Sequence, residues 1–185
     1  MSWRQRIVAT LKLWPYTVPL FVVYWAEYTM QSGVWSSIGF PVADDAARKS
    51  FYLWSNWTYQ AAVFISRSSG TLLPVGRRGL WAMPAAQCGL LVFFTGVAAM
   101  HWWYNWGLLA LCFVAGLLGG ATYVNAFVLL SKETPAASRE FSLAAACVAD
   151  SLGIAAADAG AVFLQGCLMR ANGLAGRAVF KCGGG

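Results

Sequence analysis

The chain has 185 residues, of which 59% are hydrophobic and 11% charged, with a net charge of +6. Soluble domains carry about a quarter charged residues, and disorder needs high charge with few aromatics. Ten Trp, eleven Phe and seven Tyr exclude disorder and leave a soluble enzyme with more apolar surface than so short a chain can bury. The composition predicts an all-α integral membrane protein whose solvent is lipid, and the basic excess is expected in loops facing the cytosol and anionic lipid rather than on nucleic acid.

Gaps in the charge pattern mark the helices. Residues 13–43 hold one charge, Glu27, and predict a span near 15–38. Residues 50–66 hold none and predict a shorter span near 49–67. Residues 79–131 hold none, enough for two spans near 79–100 and 107–130 with a turn at HWWYNWG (101–107), since aromatic clusters favour the membrane interface. Residues 141–169 hold only Asp150 and Asp158 and predict a fifth span near 140–166. The transmembrane bundle is therefore expected over 1–168, with a weakly structured, Gly-rich tail over 169–185.

Arg4, Arg6 and Lys12 precede the first span without a short apolar stretch and small-residue cleavage site, so a cleaved signal peptide is not expected. Basic residues recur after the second span (Arg67, Arg77, Arg78) and after the fourth (Lys132, Arg139), which places the N-terminus in the cytosol. Five spans then put the tail, with Arg170, Arg177 and Lys181, on the far side, against the same rule. Five Cys, none in a CxxC pair, and a single His give no zinc or redox framework. Cys88, Cys112, Cys147 and Cys167 lie in apolar runs and are expected to pack as small hydrophobes.

Polar residues inside apolar runs are the candidate functional groups. Glu27 is mid-span, where a charge costs ~2.5–3.5 kcal/mol and demands protonation, a partner or a cavity. Gln31 lies one turn on and Tyr24 one turn back. The pattern fits a polar wall or a protonatable coupling site; an interhelical hydrogen bond is the plainer reading. Asp150 and Asp158 share the last span, as relay groups or as carboxylates paired with a hydroxyl such as Ser151. Asn56, Tyr59 and Gln60 are expected on one face of the second span. Asn125 and Tyr123 interrupt the fourth span, lining a cavity or bonding a neighbouring helix. Gly116 and Gly120 make a GxxxG spacing suited to close helix packing. Arg67 ends the second span as a cytosolic anchor or as a gate. No phosphate loop, catalytic triad, cofactor motif or metal-ligand spacing is present, so no enzyme activity, cofactor or metal is expected.

Four blocks then stand out in order: VPLFVVYWAEYTMQ (18–31), YQAAVFISRSS (59–69), GLLGGATYVNAF (116–127) and ETPAASREFSLAAACVADSLGI (133–154). Together they resemble the C-terminal half of the battenin family of lysosomal membrane proteins, over residues 8–166. The resemblance implies the C-terminal bundle of a major-facilitator-like transporter, lacking the N-terminal bundle. It implies a lysosomal or vacuolar membrane, export of small organic solutes (glycerophosphodiesters or basic amino acids) and lumenal pH homeostasis. Glu27, Arg67, Asn125 and Asp150 fall in the matching motifs. Some members end in a prenylation box, and Cys182-Gly-Gly-Gly lacks its aliphatic pair.

On this reading Glu27 with Gln31, Tyr59 with Gln60, Asn125 and Asp150 converge on a central cavity. One bundle supplies one wall, so a partner is required: the N-terminal bundle or a second copy of the chain, within the bilayer and around a small-molecule solute. The rival readings are a membrane adaptor acting on trafficking or pH through partners, and a non-functional fragment.

Overall fold

In lipid a helix satisfies its own backbone polar groups, so long apolar runs fold as helices and short polar or aromatic segments become the turns. The computed structural model describes residues 3–69, 74–178 and 182, and every regular element among them is helical. Helix α1 is Trp3–Lys12. Helix α2 is Trp14–Tyr28, continued by a π-helical stretch, Thr29–Val34, and a 3-10 turn, Trp35–Ser37. Helices α3 (Asp45–Ser69), α4 (Arg77–Met100), α5 (Leu108–Glu133) and α6 (Ala136–Ala171) follow, and residues 101–107 connect α4 to α5.

The all-α membrane class expected from composition holds. Helices α4, α5 and α6 are long and apolar enough to cross a bilayer, and the α1–α2 pair, bent by 70°, makes a fourth candidate. Helix α3 is as long, at 25 residues, but carries Asp45, Arg48, Lys49, Asn56, Gln60 and Arg67 and falls short on hydropathy.

Two parallel helix pairs build the bundle. Along α3 and α5, Phe51 meets Trp106, Tyr59 meets Gly116, and the Ser66 hydroxyl donates to the Leu117 carbonyl at 2.8 Å. A side chain at Gly116 would collide with the Tyr59 carbonyl, and a Cβ at Gly120 would lie 2.9 Å from Ser66 Cβ. The GxxxG spacing thus packs against α3, backbone to backbone. Along α2 and α6, Phe21 meets Gly153, Gly33 meets Ala161, and Gln165 Nε2 donates to the Ser36 hydroxyl at 2.8 Å.

At one end of the bundle, Arg77 Nε donates to Glu133 at 3.0 Å and Arg77 Nη2 donates to the Tyr16 hydroxyl at 3.2 Å; Tyr16 also donates to Glu133. This ties α2, α4 and α5 together. At the other end the 101–107 turn presents Trp102, Trp103 and Trp106 outward, while Tyr104 accepts the Gly39 N–H at 3.0 Å and packs on Phe40.

One expectation fails at this second end. Cys167 does not pack as a free hydrophobe; it is disulfide-bonded to Cys182, with Cα atoms 4.8 Å apart. The chain turns back after α6, and Arg170 donates to the Cys182 carbonyl at 3.2 Å. Of the other apolar-run cysteines, Cys112 is buried, Cys88 half-buried and Cys147 exposed. The tail residues 179–181 and 183–185, with Lys181, lie outside the described residues.

Candidate functional site

The last turn of α3 carries Arg67 onto an open face of the bundle, and three other helices bring polar groups toward it. Arg67 Nη2 donates to the Tyr24 hydroxyl of α2 at 2.9 Å, and its guanidinium lies 4.2 Å from the ring centre of Tyr123 on α5. The ring of Tyr123 stands edge-on to Tyr24 at 6.3 Å and beside Phe127 at 4.6 Å. A guanidinium over an aromatic face is held by the ring quadrupole while its remaining N–H groups stay free to bond.

Two carboxylates lie within electrostatic reach of this cation without pairing with it. The charge of Arg67 acts on Glu27 and on Asp150, yet neither forms an ion pair among the described residues. Tyr28 lies within electrostatic reach of Glu27, Arg67, Asp150 and Asp158. Glu27 is 2% exposed and its carboxylate lies against Gly119 of α5, where a side chain would displace it. Its Oε2 has no hydrogen-bond partner among the described residues, and neither has Gln31 Nε2. Asp150 is half-buried and accepts from the Ser151 hydroxyl at 3.2 Å. Asp158 is exposed and accepts from Ser32 at 3.2 Å.

Beside Arg67 an open groove of about 390 Å³ is lined by Gln60, Val63, Phe64, Arg67 and Ser68. Its volume suits a small solute. One side of it is unwalled.

The structure therefore brings Glu27, Arg67 and Asp150 to one locality, with Gln60 along the same groove. It keeps Gln31 buried one turn from Glu27 and separates the rest. Tyr59 and Gln60 do not share a face: Tyr59 is buried against Trp35, with centroids 5.9 Å apart, and Gln60 is exposed. Adjacent helical residues point about 100° apart, and α5 takes the Tyr59 side. Asn56 bonds its own helix, to the Tyr52 carbonyl at 2.8 Å. Asn125 is also withdrawn from the groove. Its Oδ1 accepts from the Val75 N–H at 2.8 Å and its Nδ2 donates to the Ala121 carbonyl at 2.9 Å, so it pins the segment that leads into α4.

Tyr24 was placed by spacing on the face of Glu27, and its hydroxyl holds Arg67, a role visible only once α2 and α3 are side by side. One residue was not singled out. Gln87, in the charge-free run, is fully buried on α4 with both amide atoms unpartnered among the described residues. A lone amide in an apolar run was the available signal.

Comparison with known proteins bears on what such a face serves. The CLN3 protein family matches residues 1–171. The chain belongs to that family. It is 36% identical to protein BTN1 of Eremothecium gossypii over 166 residues, 81% of this chain and 39% of that protein. It is 34% identical to protein BTN1 of Saccharomyces cerevisiae over 172 residues, 83% of this chain and 41% of that protein. It is 37% identical to battenin of Canis lupus familiaris over 147 residues, 77% of this chain and 32% of that protein. This CLN3-family chain thus spans about two fifths or less of the length of these curated relatives. No solved structure matches it. Glu27, Arg67, Asn125 and Asp150 all lie within the family match. The family and the long apolar helices make this a multi-pass membrane protein.

Proposed function

We propose that this chain forms one wall of a solute pathway in a lysosomal or vacuolar membrane. The pathway exports small organic solutes, glycerophosphodiesters or basic amino acids, and its carboxylates couple export to protons and so to lumenal pH. The observation that carries this reading is Arg67. A cation held on an open intramembrane face by Tyr24 and Tyr123, with Glu27 buried behind it, is costly unless that face meets solute or a second bundle.

The same reading makes α3 a crossing helix. It runs beside α5 from Phe51 to Ser66, so a bilayer crossed by α5 is crossed by α3 as well, with Gln60 and Arg67 turned to the pathway. The partner that closes the face is an N-terminal bundle or a second copy of the chain. The basic end, with Arg77 and Lys132, faces the cytosol. The disulfide at the opposite end supports this, because disulfides persist in oxidising compartments and not in the cytosol.

The test is Glu27→Gln in the complete transporter, reconstituted in liposomes with a pH gradient. Proton-driven solute flux is expected to fall by about 100-fold or more, the order expected for losing an essential proton-transfer group, with monodispersity intact. Undiminished gradient-driven flux would remove Glu27 from the coupling role.

A further inference from the structure

The bundle has two separate apolar cores, and the level between them is polar. On α2, Val23 and Tyr24 belong to one core and Ala26 and Met30 to the other, with Glu27 where the two meet. On α4, Leu80 and Leu91 flank Gln87 in the same way. On α5, Ala126 and Ala115 flank Thr122 and Gly119, the residue that the Glu27 carboxylate touches. Three helices thus carry polar or small residues where the two cores meet. Glu27, Gln87, Gly119 and Thr122 are all buried there, and Gln87 and Thr122 are 0% exposed.

The unpartnered atoms at this level are of both kinds. Gln87 Oε1 and Glu27 Oε2 are acceptors; Gln87 Nε2 and, one turn below Glu27, Gln31 Nε2 are donors. Thr122 donates to its own helix, to the Leu118 carbonyl at 2.8 Å, so it quenches none of them. Buried amides are otherwise nearly always bonded. A metal ion would satisfy the oxygens and be repelled by the amide N–H groups. Water both donates and accepts, and buried waters characteristically bond two to four such groups.

We propose that this level is a hydration site inside the bundle, where water bonds Gln87 and reaches Glu27. Its ligand is water, and Gln87 is the residue that holds it. The site stands whether or not the open face carries solute.

The test is Gln87→Leu in the protein purified into lipid nanodiscs, read by thermal unfolding. In a dry level, leucine removes two unpaired polar atoms and adds packing, so Tm rises or stays. In a hydrated level, leucine expels the water and strands Glu27 and Gln31, and Tm falls by about 2–4 °C. A fall supports the site; a rise or no change overturns it. Should the variant not fold, a wild-type map that resolves ordered water decides. Density within hydrogen-bonding distance of the Gln87 amide supports the proposal. A direct protein partner for both amide atoms, or a closed level without such density, overturns it.

Discussion

The α3–α5 and α2–α6 pairs both run parallel and both use glycine at the point of closest approach, yet they are joined by different means. Between α3 and α5, backbone meets backbone: Gly116 faces the Tyr59 carbonyl, Gly120 faces Val63 and Ser66, and both helices stay α-helical throughout. Between α2 and α6 the first half is similar, with a Cβ at Gly153 falling 2.6 Å from the Phe21 carbonyl. Beyond α2 the chain widens into the π stretch Thr29–Val34, where Gly33 still meets the Ala161 backbone but side-chain hydrogen bonds join the contact, Ser32 to Asp158 and Ser36 to Gln165. Contact through backbone admits one geometry. Contact through side-chain hydrogen bonds admits adjustment, and π segments concentrate at functional sites. The comparison suggests that α3–α5 is the fixed frame of the wall and the lower half of α2 its adaptable part.

The largest expected effect comes from breaking the fixed pair. Gly116→Leu must displace the Tyr59 carbonyl and the Ala62 methyl, and neither is the end of a flexible chain. Overpacking of this kind costs about 1–3 kcal/mol, and more where backbone has to move. Loss of a monodisperse peak in size-exclusion chromatography, or a large fall in Tm, is the expected result. An unchanged profile would mean that α3 and α5 are not joined through this glycine.

The fixed pair was also the more legible one. Small residues at i and i+4 in an apolar run point to close packing whatever the neighbour, so Gly116 and Gly120 could be assigned before any contact was known. Charge gaps likewise placed the helices, because in lipid apolar length and helix are nearly the same statement. The adaptable pair was illegible for a physical reason. Nothing in Thr29–Val34 distinguishes a π turn from an α turn, and Ser32, Ser36 and Gln165 are ordinary polar residues until α2 and α6 lie together. The Cys167–Cys182 bond was hidden in the same way, since it depends on the chain turning back after α6. At the site, Glu27 and Arg67 announced themselves as charges in apolar surroundings. Asn125 announced itself equally and proved to be a loop anchor, because polarity in a membrane helix marks a partner without saying which one.

A smaller effect sharpens the other side of the comparison. If the lower half of α2 is held to α6 by side-chain bonds, Ser36→Ala and Gln165→Leu should each be tolerated, and a double-mutant cycle should recover a coupling of about 0.6 kcal/mol, the average for interhelical hydrogen bonds in membranes. Unfolding in mixed micelles measures it. A coupling near zero would leave Gly33 against Ala161 as the operative contact and make α2–α6 a second backbone-joined pair.

The smallest effect is a control on the role given to glycine. Gly89 lies in the middle of α4 and faces outward, with no atom within 4 Å of where its Cβ would stand. It therefore performs none of the packing assigned to Gly116. Replacing it with alanine removes backbone freedom from the unfolded chain and strains nothing, so Gly89→Ala should stabilise by about 0.5–1 kcal/mol. The sign matters more than the size. A rise in Tm at Gly89 beside a collapse at Gly116 would show that glycine destabilises this bundle wherever it does not bring two helices together. A fall at Gly89 would mean that its outward face is covered, and that the partner of this wall reaches α4 as well as the Arg67 face.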